Sequence, residues 1–521
     1  MDHGQPPISV GEAQERFRRL WRQVRDLEGA RQLLEWDQET YMPPAGAPAR
    51  GRVLGTLAGL EHDRLSDPAL GEAVEEIAAS ASPGDDWEAQ AREARRRIRR
   101  ATAVPRRLAE ELAEAASAGL AAWQEARRAK DFGPFAPPLA RLLQAKREQA
   151  ACLTAGGPSG RPGPAYDALL DEYEPGATTA DLVPLFAALR ARLVPLVRAI
   201  VEGGVTVDET PLRGHFPMEA QRQLGTFVAA EIGFDWTAGR LDRSTHPFCT
   251  GIDRRDVRLT WRGQEADLRQ ALMGVLHEMG HGLYDQGLPA EWESTPLGEP
   301  ASTGVHESQS RLWEILVGRG RPFWRWLLPH VRQAFPGYAP QLDAVWKALH
   351  AIKPTLIRVE ADEATYNLHV LVRFELERAL FGGDLQVADL PAAWDDLYAE
   401  VLGLRPPDVV HGVLQDLHWA AGLFGYFPTY TLGTLAAVQL FAAARTQLGD
   451  LDAQLGSGEF APLLGWLRER VHRHGARFPP RELLTRAAGA PPSAEPFLAY
   501  VEGIAEEVYG VAPAAAAASS R

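Results

Sequence analysis

DVRLTWRGQEADLRQALMGVLHEMGHGLYDQG, residues 256–287, carries the reading of this chain. It opens with Val257 and Leu259 alternating against Arg258 and Thr260, the period of a half-buried strand. A polar GQE turn follows, and the period then changes. Leu268, Leu272, Val275, Leu276, Met279 and Leu283 recur at threes and fours, as one stripe of an amphipathic helix. On that helix His277, Glu278 and His281 form the H-E-x-x-H pattern, in which two imidazoles one turn apart can grip one metal ion. At about 100° per residue, both histidines fall roughly 150° to 170° from the centre of the apolar stripe. They are therefore expected off the core face.

Outward from this stretch, helical periodicity dominates. Phe17, Leu20, Trp21, Val24, Leu27 and Leu34 are spaced by threes, fours and sevens, and residues 86–130, 178–202 and 365–381 repeat the theme. Residues 431–444, TLGTLAAVQLFAAA, are too short for a membrane span and read as a buried helix. Beta character is confined to GVTVDET (204–210) and DVRLTWR (256–262). The expected fold class is all-α with one small sheet near the middle of the chain. Residues 1–511 are expected to form one helical domain, and 512–521 a disordered alanine-rich tail; AGGPSGRPGP (155–164) is linker-like but divides no core.

The chain has 521 residues, 45% hydrophobic and 24% charged, with ample material for a large core. Its net charge of −14 argues against a nucleic-acid partner. Only two cysteines, Cys152 and Cys249, are present, so a disulfide framework is excluded and a reducing environment is the simpler expectation. The N-terminus lacks a secretory pattern and no apolar run reaches about eighteen residues, so a cytoplasmic protein without a membrane partner is expected.

A catalytic metal site of this type normally takes three protein ligands and keeps one position open. The metzincin solution fails, because Tyr284 stands where its glycine belongs and Gly287 where its third histidine belongs. Glu291, Glu293, Glu299 and Glu307 are the downstream carboxylate candidates. The first three lie in a stretch rich in Pro, Gly and Ser, whereas Glu307 opens a helical pattern through Leu312, Ile315 and Leu316. A rigid element positions a ligand better, which favours Glu307.

Six motifs in order, HPF (246–248), DVRLT (256–260), HEMGH (277–281), HESQS (306–310), IRVEAD (357–362) and GVLQDLHW (412–419), resemble the carboxypeptidase Taq family of metallocarboxypeptidases. The resemblance extends from LLEWDQETYMPPAG near the N-terminus, through YDALLDEYEPG (166–176), to FGYFPTYTLG (424–433). It implies a mostly helical single domain with a deep groove, related to neurolysin and angiotensin-converting enzyme, and a homodimer. It makes His277, His281 and Glu307 the ligands of one divalent metal, zinc foremost with cobalt as an alternative, and Glu278 the general base. It also implies that a histidine and a tyrosine downstream stabilise the tetrahedral intermediate; His418, with Tyr426 or Tyr430, is suitable in type.

A carboxypeptidase must recognise a terminal carboxylate, most simply with an arginine. Arg358 of IRVEAD is the first candidate and Arg258 of DVRLT the second; the bland alternatives are a helical ion pair of Arg358 with Asp362 and a solvated strand face for Arg258. His246 and His306 are read as groove-lining or ligand-orienting residues, and Asp362 and Asp416 as acids that can support them. The expected activity is stepwise release of C-terminal amino acids from peptides with a free C-terminus, with broad specificity. A helical zinc oligoendopeptidase and a non-catalytic peptide-binding protein are the alternatives.

Overall fold

The computed structural model describes residues 9–155 and 164–512. The interior of the linker-like segment and the tail beyond Ala512 lie outside the described residues. Val10–Thr40 is a long helix, started by a capping box in which the Ser9 hydroxyl accepts from the Glu12 amide and the Glu12 carboxylate accepts from the Ser9 amide. Its Phe17, Trp21 and Val24 are fully buried, while Leu20, Leu27 and Leu34 flank them. The pattern over 86–130 resolves into two helices, Asp86–Ala103 and Arg106–Ala129, because Pro105 has no amide hydrogen to continue the first.

One three-stranded sheet is present among the described residues. β1 (Gly239–Arg243) pairs parallel with β3 (Asp256–Trp261), and β2 (Cys249–Asp253) pairs antiparallel with β3 on its other side. Val257 and Leu259 are buried as their alternation requires. GVTVDET, expected to have beta character, forms no strand; it is exposed or half-buried loop leading into a single turn, Thr210–Leu212. Its valines have no neighbouring strand to pair with, and an isolated strand leaves its amide and carbonyl groups to water.

β3 feeds the helix Leu268–Gly287, capped by the Asp267 carboxylate on the Arg269 amide. Met218–Ile232 and β3 cover one side of this helix, and Thr303–Arg311 crosses the other. The main apolar core runs from Ala115 to Tyr509, and a second one joins the helices Val10–Thr40, Pro68–Ser80 and Asp86–Ala103. The N-terminal helices meet the rest of the chain through a small apolar cluster of Ala89, Leu297 and Ala476 and through ion pairs: Glu28 is held by Arg25 and Arg97, and Arg97 reaches Glu299 at 2.5 Å. The apolar segment 431–444 lies inside the helix Pro428–Leu448, most of which is buried. No described helix is long and apolar enough to cross a membrane.

Candidate active site

His277 and His281 sit one turn apart on Leu268–Gly287, and the crossing helix Thr303–Arg311 brings Glu307 to them. Glu307 Oε2 lies 3.6 Å from His277 Nε2 and 3.3 Å from His281 Nε2, and one donor atom from each residue falls within 4.8 Å of the others. Donors 3 to 4 Å apart suit an ion held at roughly 2.0 to 2.2 Å from each, so this set of two imidazoles and a carboxylate fits a divalent metal. Two glycines allow the approach. A Cβ on Gly280 would lie 2.6 Å from the Gln309 carbonyl oxygen, and one on Gly433 would lie 2.5 Å from Glu307 Cγ.

Both histidines are half-buried, lying on the side opposite the apolar stripe as the spacing predicts. Glu278 is 6% exposed, and burial lifts its carboxyl to about 7, with His277 opposing the shift and Glu307 adding to it. A carboxyl tuned to that range can both accept and donate a proton near neutral pH. Burial also lowers His281 to about 4. Glu307 is held well below the usual carboxylate range despite its burial, with Arg311 the strongest opposing influence. Arg311 Nε donates to Glu307 Oε1 at 2.8 Å, and the Ser310 hydroxyl donates to Oε2 at 2.9 Å.

The HESQS and FGYFPTY segments meet because the helices Thr303–Arg311 and Pro428–Leu448 are in close contact. Tyr430 lies in the first turn of the latter, and its hydroxyl is 3.2 Å from His418 Nε2. The Tyr426 and Tyr430 rings are 5.3 Å apart, and Glu307 acts electrostatically on both phenols. Burial keeps both phenols neutral, Tyr426 at about 12 and Tyr430 well above its ordinary value, and it lowers His418 to about 4. The two hydroxyls are thus hydrogen-bond donors across the neutral range.

Arg358 is 5% exposed and does not pair with Asp362. Its Nε and Nη2 donate to Asp416 Oδ1 at 3.1 and 2.9 Å, and Nη1 donates to the Tyr366 hydroxyl at 3.0 Å. Asp416 binds Arg373 through its other oxygen, while Asp362 caps the backbone at Ala364 and Thr365. The Arg358 guanidinium lies 4.9 Å from the Tyr430 ring centroid, so the helical ion pair is replaced by a buried cluster beside the phenols. Arg258 is not on a solvated face: it holds Asp256 at 2.8 and 2.9 Å and lies 4.3 Å over the Trp36 ring. His246 is exposed, and its backbone carbonyl accepts from Ser244. His306 stacks on His281 with ring centroids 4.4 Å apart and has Nε2 2.9 Å from Asp285.

Sequence reasoning did not single out Arg311, Glu314 or Asp285. Arg311 and Glu314 stand four and seven residues after Glu307, the spacing of one helical stripe, and that was the available signal. Asp285 follows His281 by four on the same face.

A mainly helical chain that gathers two histidines, a glutamate and a buried carboxyl in this way has the architecture of a metallopeptidase. Residues 16–504 match the family described as carboxypeptidase Taq (M32) metallopeptidase, and the chain belongs to that family. It is 47% identical to thermostable carboxypeptidase 1 of Thermus thermophilus, over 92% of this chain and 95% of the relative. It is 36% identical to the protein of the same name from Pyrococcus furiosus, over 94% and 96%. Among solved structures, the M32 carboxypeptidase from Deinococcus radiodurans R1 superposes with a TM-score of 0.91 at 39% identity, covering 96% of this chain and all of that one. Trypanosoma cruzi metallocarboxypeptidase 1 superposes at 0.89 with 32% identity, over 96% and 100%. The protein is a metal-dependent carboxypeptidase.

Proposed function

We propose that the protein releases single amino acids from the free C-terminus of peptides with broad side-chain tolerance, and that His277, His281 and Glu307 hold its divalent ion, zinc in the first place and cobalt as an alternative. The convergence of both Nε2 atoms on Glu307 Oε2 beside the buried Glu278 carries this reading. The bound ion supplies Lewis acidity to a peptide carbonyl and makes water a better acid. Glu278 takes the proton of the attacking water and returns it to the leaving amine, a double role open to a buried carboxyl next to the ligand set. The Tyr430 and Tyr426 hydroxyls donate to the oxyanion, with Tyr430 aligned by His418.

Arg358 receives the terminal carboxylate. Three of its five N–H groups are engaged with Asp416 and Tyr366, which fixes the guanidinium and leaves two donors. Arg258, immobilised on Asp256 and Trp36, and His246 serve as groove-wall contacts for the rest of the peptide. In this reading the chain works as one domain, residues 1–511, in which the core from Ala115 to Tyr509 and the second core from Ala13 to Ala94 are linked through Glu28, Arg97 and Glu299; it works in the cytoplasm as a homodimer.

The test is a mass-resolved time course on one peptide, supplied as free acid and as C-terminal amide, with zinc, with cobalt and with a chelator. Stepwise loss of terminal residues from the acid alone, abolished by chelation, is expected. Internal cuts in both peptides would make it an endopeptidase, and binding without cleavage a peptide-binding protein.

A further inference from the structure

The two histidines of the HEMGH motif are supported unequally. His277 Nδ1 lies 3.0 Å from Glu314 Oε2, whereas His281 Nδ1 is buried without a protein hydrogen-bond partner, its ring stacked on His306 and edge-on to His277. Glu314 is itself held from two sides: Arg311 Nη1 donates to Oε2 at 3.3 Å and Arg319 Nη2 to Oε1 at 3.2 Å. Arg319 Nη1 lies 3.8 Å from Glu363 Oε2. The Glu363 side chain is 1% exposed, and it is gripped by His350 Nδ1 and by the Tyr500 hydroxyl at 2.9 Å. Arg311, Glu314, Arg319 and Glu363 thus form a continuous charged row leading away from the site, half-buried at Arg311, Glu314 and Arg319 and fully buried at Glu363.

The backbone makes this chain of contacts possible. Leu312–Val317 is a π-helical segment, and the Gly318 amide donates to the Trp313 carbonyl at 2.9 Å, a five-residue step. In an α-helix, residues five apart point about 140° away from each other. The wider π turn brings position 319 back toward position 314, so that Arg319 can reach Glu314.

We propose that Glu314, fixed by Arg319 and Glu363, is a positioning residue for the metal centre: it accepts the Nδ1–H of His277, sets that tautomer and ring orientation, and leaves Nε2 as the donor to the ion. An anionic acceptor on the far nitrogen also makes the imidazole a stronger donor. His277 thereby becomes the ligand anchored by a carboxylate. Arg311 links the two acids, since it donates to Glu307 as well as to Glu314. The inference rests on the ligand assignment proposed above.

The test measures zinc affinity of the purified full chain by competition with a chelating dye, together with the thermal midpoint of the metal-free protein and the ring ¹⁵N spectrum of the zinc-loaded protein. Glu314→Ala is expected to weaken zinc binding roughly 10- to 100-fold, Glu314→Gln less because its amide oxygen still accepts, and Glu363→Gln in the same direction by a few-fold. The parent spectrum should show a protonated Nδ1 on His277. His277→Ala serves as the reference. If it abolishes tight binding while both Glu314 variants stay within twofold of the parent, the positioning role is overturned and the ligand assignment stands. If His277→Ala binds zinc as the parent does, the ligand assignment falls, and this inference with it. Weakened binding in Glu314→Gln with none in Glu363→Gln would overturn the part assigned to Glu363. Should Glu314→Ala fail to fold, Glu314→Gln and the spectrum decide.

Discussion

Adding one methyl group at Gly433 should loosen the metal centre without touching any of its donors. The new Cβ would lie 2.5 Å from Glu307 Cγ and 2.6 Å from its Cβ, with the Gly304 carbonyl oxygen at 3.1 Å on the remaining side. Carbon atoms rest at about 3.5 to 4.0 Å, so the Glu307 side chain must retreat by about 1 Å. Metal–ligand distances tolerate only about 0.2 Å, so the carboxylate cannot hold its place relative to His277 and His281. Gly433→Ala is accordingly expected to cost about 1 to 3 kcal/mol of fold stability through overpacking and to weaken zinc binding by about 1.4 to 2.8 kcal/mol, which is 10- to 100-fold. Competition with a chelating dye reads the affinity, and the melting of metal-free protein reads the fold. Gly274→Ala is the control: it lies on the motif helix with nothing within 4 Å of its added Cβ, and it should raise stability by about 0.5 to 1 kcal/mol with unchanged affinity. A Gly433→Ala protein that binds zinc as tightly as the parent would refute Glu307 as a ligand held by this helix contact.

Glu278→Gln should keep its zinc, measured by atomic emission, while turnover falls about 10²- to 10⁴-fold, and near-normal activity would remove it as the base. Tyr430→Phe and Tyr426→Phe, compared by kcat at unchanged metal content, should separate the two phenols; the oxyanion donor is expected to cost about 10²- to 10³-fold, with Tyr430 the larger because His418 aligns it. Arg358→Ala should raise KM for free-acid peptides at least tenfold, about 1.4 kcal/mol, and a KM equal to the parent's would exclude it from carboxylate recognition. Glu174, which holds the first turn of the helix that carries Glu307, supplies a pH test of fold stability. Burial raises its carboxyl from 4.5 to about 7, and its Oε2 accepts from the Gly304 amide at 3.1 Å. The folded chain therefore keeps a proton that the unfolded chain releases. That contribution is complete below about pH 4.5 and is lost as pH rises through 7. Glu174→Gln fixes the neutral form, so its stability relative to the parent, read by urea unfolding, should improve by on the order of 3 kcal/mol between pH 5 and 8; a difference independent of pH would contradict the shift.

Much of this protein is legible one residue at a time. The change of period at residue 268 fixes strand and then helix, because side-chain direction repeats every two residues in one and every 3.6 in the other. The same arithmetic puts His277 and His281 on one face, and the capping box at Ser9 and Glu12 marks the start of the first helix. GVTVDET shows where such reading stops: β-branched residues favour a strand only when another strand is there to pair, and none approaches. Pro105 likewise divides a continuous helical pattern that periodicity alone reads as one.

The sequence by itself determined the helices, the strand at 256–261 and the pair of histidines with Glu278 between them, since each depends on neighbours within a turn or two; the two strands that flank it, Gly239–Arg243 and Cys249–Asp253, are fixed only by pairing across the fold. Helical pattern and resemblance already favoured Glu307 among the downstream acids, but only the tertiary structure shows how close it comes, because it arrives on a second helix whose approach is allowed by Gly280 and Gly433. The same holds for Arg358, whose partner is Asp416, 58 residues away, rather than Asp362, four residues away. It holds also for Glu314, which reaches His277 across 37 residues while a π turn supplies its support from Arg319. Burial completes the site: the carboxyl of Glu278 is lifted to about 7 by surroundings that no local pattern encodes, since desolvation depends on everything packed around a group.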